Sequence, residues 1–130
     1  MKRANFPTPN AMAEITAWPT ELRLDAAKTT LNVAFDNGDS FALPAEYLRV
    51  ESPSAEVQGH GGDHKVTLGG KRHVKIERLE PVGNYAVRIC FDDGHDSGLF
   101  SWDYLHELGR DQNKKWDEYL RALRIQGLQR

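Results

Sequence analysis

Apolar and polar residues alternate through the first third of the chain and again through its middle, and near the end the period lengthens to that of a helix. Leu22 and Leu24 alternate with Glu21 and Arg23, which predicts a short half-buried strand. Leu31, Val33 and Phe35 alternate with Asn32 and Ala34, and Phe41 and Leu43 follow after Asp36-Asn37-Gly38-Asp39. Asn-Gly between two alternating runs predicts a tight hairpin of type I′, with both central residues at positive φ. Pro44 to Arg49 suits one helical turn with proline near its start. From Glu51 to His73 the pattern dissolves among Gly59, Gly61, Gly62, Gly69 and Gly70. This predicts a long, mobile glycine-rich loop, at about residues 51–73, with room for a short strand at Val66–Leu68.

Alternation returns at Val74 and Ile76. After a turn at Pro81-Val82-Gly83-Asn84, Tyr85, Val87, Ile89 and Phe91 share one face, while Ala86, Arg88 and Cys90 share the other. Asp93-Gly94 predicts a second tight hairpin, leading to Leu99 and Phe100. Then Trp102, Leu105 and Leu108 recur at helical spacing. Ser101 is placed to cap that helix, Asp103 suits its N-terminal dipole, and Gly109 reads as its stop. Trp116, Tyr119, Leu120 and Leu123 form the apolar stripe of a last helix from about Gln112, suited to packing on the sheet. Strands first and helices last predict an α+β single domain: a mainly antiparallel sheet of hairpins packed with a short helix and a C-terminal helix. Residues 1–16, with Pro7 and Pro9 and little periodicity, are expected to be a flexible tail before a domain spanning residues 17–125.

Composition narrows the function classes. The 130 residues are enough for one domain with a real core, and 39% of them are hydrophobic. Lysine and arginine number 17 against 19 acidic residues, a balance that argues against nucleic acid as a partner. The lone Cys90 rules out an intrachain disulfide and fits a reducing compartment, so a cytoplasmic location is expected. No apolar run is long enough to span a membrane.

Few residues offer chemistry. Cys90 sits mid-strand, where a small buried thiol is the natural reading, although Arg88 shares its face. Gly69-Gly70-Lys71 lacks the other residues of a phosphate loop. His60, Asp63, His64 and His73 crowd into the glycine loop, where ordering the chain around a metal costs roughly 1–2 kcal/mol per residue. Solvated histidines are therefore the preferred reading over a metal site. Asp92-Asp93-Gly94-His95-Asp96 is a polar turn followed closely by Phe100, Trp102 and Tyr104. Either its carboxylates satisfy turn amides and His95 bonds to one of them, or Asp93, His95, Trp102 and Tyr104 form a recognition patch.

Two stretches carry a resemblance: Pro81-Val82-Gly83-Asn84-Tyr85-Ala86-Val87, and Phe91 through Gly94-His95 to Trp102-Asp103-Tyr104-Leu105. They resemble the domain of unknown function 971 family, which is similar to the N-terminal domain of gamma-butyrobetaine hydroxylase, and the match runs from about Trp18 to Leu123. In that hydroxylase domain a non-catalytic zinc is held by Cys-x-Cys-x-x-Cys, after Tyr-Leu-Arg, and by one histidine. Here Tyr47-Leu48-Arg49 is present, the three cysteine positions fall on Ser52, Ser54 and Val57, and His95 matches the histidine. The resemblance therefore implies the fold and argues against the zinc, because hydroxyls and a valine do not replace thiolates. It also argues against an enzyme, since the hydroxylase's iron chemistry belongs to a separate barrel domain for which 130 residues leave no room.

The expectation is thus a small, non-catalytic binding or regulatory module without cofactors, acting on another protein. An alternative is a metal or small-ligand binding protein centred on His95, with the His60/His64/His73 loop folding over it. Similar domains occur fused to iron–sulfur carrier ATPases, so the resemblance also allows a role accessory to such a carrier.

Overall fold

Each strand pairs with its neighbour in sequence. The computed structural model describes residues 17–59 and 65–130. Among them β1 (Pro19–Leu24), β2 (Thr30–Phe35) and β3 (Ser40–Pro44) form one antiparallel meander. A second is formed by β4 (Ile76–Val82), β5 (Ala86–Phe91) and β6 (Leu99–Ser101). Helices α1 (Ala45–Val50) and α2 (Ala55–Gln58) follow the first meander, and α3 (Trp102–Arg110) and α4 (Gln112–Gln126) follow the second. This is the α+β domain that the hairpin signals and the late helical periods predict. No helix among the described residues is long and apolar enough to cross a membrane.

Both tight hairpins use one turn geometry, and it is not type I′. Gly38 N–H donates to Phe35 C=O and Phe35 N–H to Asp39 C=O; Gly94 repeats this with Phe91 and His95. Gly38 (φ +95°) and Gly94 (φ +90°) have positive φ, whereas Asn37 and Asp93 do not. A type I turn closed by a glycine bulge requires the left-handed conformation only of the third loop residue, so both aspartate-rich turns form without strain ahead of it.

The two meanders bury one face each. Leu31, Val33, Phe35 and Leu43 meet Val87, Ile89, Phe91 and Phe100, with Tyr47 and Leu48 of α1 and Trp102, Leu105 and Leu108 of α3 completing the core. Burying side chains of this size contributes about 1.5–3 kcal/mol each. Tyr85 departs from the face it was expected to share with Val87, and is half exposed ahead of β5. The stripe of α4 does not lie on a sheet. Tyr119 and Leu123 pack with Val50 of α1, and Leu68, Trp116 and Leu120 surround them. The glycine-rich stretch has built itself a partner for α4: Tyr119 O–H donates to Leu68 C=O at 2.5 Å, and Gln126 Nε2 to Thr67 Oγ1 at 3.0 Å.

That stretch carries more structure than its glycines suggest. It includes α2, and Glu51, Ser52, Ser54 and Val57 are buried. Val66–Leu68 is not a strand. Gly109 is not a stop either: α3 continues through Arg110 and breaks at Asp111. The glycine is needed for packing, because a Cβ at position 109 would enter the Phe41 ring. Gly109→Ala is expected to destabilise the protein by about 1–3 kcal/mol in urea unfolding, although alanine is the better helix former.

Candidate functional site

The glycine bulge at Gly94 delivers His95 inward. The backbone N–H of His95 donates to Asp93 Oδ1 at 3.0 Å, which fixes the turn, and the imidazole is buried. It meets the connection between α1 and α2 and the start of α2, some forty residues earlier. Ser52 Oγ lies 2.9 Å from Nε2, Ser54 Oγ 3.3 Å from the same nitrogen, and Glu56 Oε1 3.2 Å from Nδ1. With the Glu56 carboxylate as acceptor, the network assigns the proton to Nδ1 and makes Nε2 the acceptor for the serine hydroxyls. Ser97 Oγ also donates to Glu56 at 2.7 Å. Gly98 closes the far side, since a Cβ there would collide with Ser52 Oγ.

A second set of charges braces the same turn. Asp93 Oδ2 accepts from Arg49 Nε at 2.8 Å and from Lys71 Nζ at 2.7 Å. Burial pushes the Asp93 carboxyl up, but the hydrogen bonds from Lys71, the His95 backbone and Arg49 outweigh it and hold it at about 2. Arg49 Nη1 is buried and has no hydrogen-bond partner among the described residues, and Asp93 is the carboxylate that pairs with the guanidinium through Nε. Burial, with the Arg49 charge adding to it, lowers the pKa of His95 and favours the neutral ring. Glu56 is lowered by the Ser97 hydroxyl and the facing His95.

The four residues of the expected patch are not one surface. Asp93 and His95 come together in the turn just described. Tyr104 reaches the same segment from α3, its hydroxyl donating to Glu51 C=O at 2.6 Å. Trp102 lies apart: it is buried, and its indole N–H donates to Asn84 C=O at 2.8 Å in the β4–β5 turn. Burial raises the Tyr104 hydroxyl well above its ordinary range. Cys90 is buried on β5 and its thiol is pushed up by desolvation. His73 is exposed, and His60, Asp63 and His64 lie outside the described residues. Sequence reasoning missed Glu56 and Lys71, which reach the turn only through the tertiary fold, and Ser97, which lies in the turn's own loop but whose partner Glu56 is distant in sequence. Arg49 was visible as the third residue of Tyr-Leu-Arg, without its role.

The zinc held in the related hydroxylase domain can be tested against the donors present here. Of the four positions, one is an imidazole, two are neutral hydroxyls and Val57 has no donor at all. Both nitrogens of His95 already face hydrogen-bond partners. Among the described residues no three His, Cys, Asp or Glu side chains come together as a metal site would require. The donor set does not fit zinc, which takes thiolate and imidazole ligands.

The connectivity Ser52–His95–Glu56 has the order of a hydrolytic triad: hydroxyl to Nε2, Nδ1 to carboxylate. Access is what it lacks. Ser52 has 0% of its surface exposed, with Gly98 against its Oγ. A nucleophile must reach a carbonyl carbon, and among the described residues this hydroxyl is enclosed by the His95 imidazole, the Ser54 backbone and Gly98.

The fold and this cluster define a small α+β domain whose histidine is tied into its interior by hydrogen bonds. Residues 22–106 match the family described as gamma-butyrobetaine hydroxylase-like, N-terminal, and the chain belongs to that family. Two solved structures, both described as NMR solution structures of a protein, are 48% and 46% identical to it and superpose with a TM-score of 0.77 each. They cover 88% of this chain, and 90% and 86% of their own. A crystal structure from Acidithiobacillus ferrooxidans, a protein with unknown function of the domain of unknown function 971 family, is 36% identical. It has a TM-score of 0.58, covering 70% of this chain and 91% of that one. No curated protein matches.

The charges set a pH dependence. His95 is lowered in the folded state, so the unfolded chain takes up its proton first and stability falls as pH drops below about 6.5. Asp93 is lowered from 3.8 to about 2, so its contribution is complete above pH 4 and is lost as pH falls toward 2. Urea unfolding across pH 2–7 is expected to show both declines. Asp93→Asn should make the lower one shallower and be about 1–3 kcal/mol less stable at pH 7, because Arg49 is left without its carboxylate. A second expectation concerns zinc: metal analysis of the untagged protein should find only traces, whereas a Ser52→Cys/Ser54→Cys/Val57→Cys variant should retain an equivalent through dialysis.

Proposed function

We propose that this protein is a non-catalytic binding module whose partner is another protein, and that the buried His95 cluster serves as an internal clamp in place of a metal. One observation carries the reading: the hydroxyl and imidazole that could do chemistry together are closed inside the fold, with Ser52 fully buried and only the Glu56 carboxylate at the surface. The thiol gives the same result, since Cys90 is buried and desolvation keeps it protonated. With its candidate nucleophiles and base engaged in structure, the chain has its surface left for function.

A fluorophosphonate probe and a thiol alkylator test the first half. The folded protein is expected to stay unlabelled by both and to react at Cys90 only when unfolded. Stoichiometric phosphonylation of Ser52 in the folded state would overturn the non-catalytic reading. Affinity capture with the purified chain tests the second half, the expected result being one protein retained near stoichiometry. No retained protein, together with a metabolite that shifts the amide signals around His95, would replace the protein partner with a small ligand.

A further inference from the structure

Away from His95, the start of α1 and the middle of α4 hold a buried carboxylate beside an aromatic face. The Glu46 side chain is only 8% exposed. Its two oxygens accept from Arg130, at 2.7 Å from Nη2 and 3.0 Å from Nε. The same guanidinium lies 5.3 Å from the centre of the Trp116 ring, and Tyr47 braces that ring edge-on at 6.2 Å.

We propose that Glu46 and Trp116 form a guanidinium-recognition slot, held by the chain's own Arg130 and able to take an arginine side chain from a partner protein instead. A buried carboxylate requires a cation, and this one meets it with both oxygens in one plane, which a guanidinium fork matches and an ammonium does not. The indole face adds attraction for a flat cation. Selectivity for arginine is therefore built into the walls, and the residue now in the slot displays it.

Arg130 is brought there by a short strap. After α4, Gly127 (φ +68°) reverses the chain and Leu128 N–H donates to Leu123 C=O, and Gln129 C=O accepts from Gly70 N–H at 2.8 Å. Beyond these two bonds the strap is exposed and irregular. Arg130 lines two open grooves: one of about 360 Å³ that the strap's own Leu128 and Gln129 form with Leu120, Arg72 and Arg124, and one of about 260 Å³ beside Pro44, Gln112 and Trp116. An incoming arginine would thus have the groove beside Pro44 and Gln112 for its neighbours, and would take over the place of Leu128 and Gln129 on the other side. A tether of this length presents Arg130 at an effective concentration of about mM, so only a segment that also fills the flanking grooves competes with it.

The test uses the full chain with Arg130→Ala and the peptide acetyl-Gly-Leu-Gln-Arg, read by the Trp116 indole N–H signal. The peptide is expected to bind this variant, to bind wild type about tenfold or more weakly because the strap competes, and to lose binding when Glu46→Gln is added. The same peptide ending in lysine should bind at least about fivefold more weakly, having no fork to offer. No binding by the folded Arg130→Ala variant would overturn the slot, leaving a plain structural ion pair. Equal affinity for wild type, or for the lysine peptide, would overturn it too. None of these outcomes bears on the labelling of Ser52, so the slot and the non-catalytic reading stand or fall separately.

Discussion

The hydrogen bond between His95 and Ser52, 2.9 Å long and out of reach of water, is the constraint on which the arrangement of the molecule depends. The two meanders are each complete in themselves. What fixes the β5–β6 turn against the α1–α2 segment is a buried ring with partners on both nitrogens and an aspartate beside it gripped by Arg49 and Lys71. An imidazole without those partners would be a desolvated polar group costing a few kcal/mol. Satisfied on both sides, it is instead a strict geometric demand, which Gly94, Gly98 and the two serines are each shaped to meet.

The proposed clamp of hydrogen bonds differs in kind from the zinc of the related hydroxylase domain. A zinc bound by three cysteines tolerates no protonation of its ligands, and its strength depends on supply of the ion. The serine–histidine–glutamate arrangement needs nothing from outside, but is weaker and gains support from packing: Val57 is buried within the segment, and the Tyr104 hydroxyl secures the carbonyl of Glu51.

Much of the fold was legible because its signals are local. Alternation marked most of the strands, Asp-Asn-Gly-Asp and Asp-Asp-Gly-His marked the hairpins, and Ser101 does cap α3 through the N–H of Tyr104. The errors came where tertiary contact overrode a local rule. Gly109 read as a helix end because nothing near it in sequence announces the Phe41 ring. Tyr85 read as core by alternation, yet it precedes the paired part of β5. At the site, His95 and Asp93 stood out as turn residues, and the resemblance pointed to Ser52 and Ser54. Glu56 was invisible, since an exposed glutamate in a glycine-rich stretch has no pattern to distinguish it, and Ser97 gains its role only from Glu56. Trp102 is placed by contacts that its own neighbourhood in sequence does not announce: its indole N–H donates to Asn84 C=O in the β4–β5 turn, apart from His95.

The sequence-neighbour pairing of all six strands has a kinetic consequence. Hairpins close short loops, so most of the sheet contacts can form early and quickly. The contacts that join residues 49–56 to residues 93–97 span some forty residues and pay a larger closure entropy. They form late, after the meanders have brought the two segments near. Interactions made after the transition state slow unfolding more than they speed folding. The His95 cluster therefore acts as a brake on opening, setting how long the folded molecule lasts more than how fast it is reached.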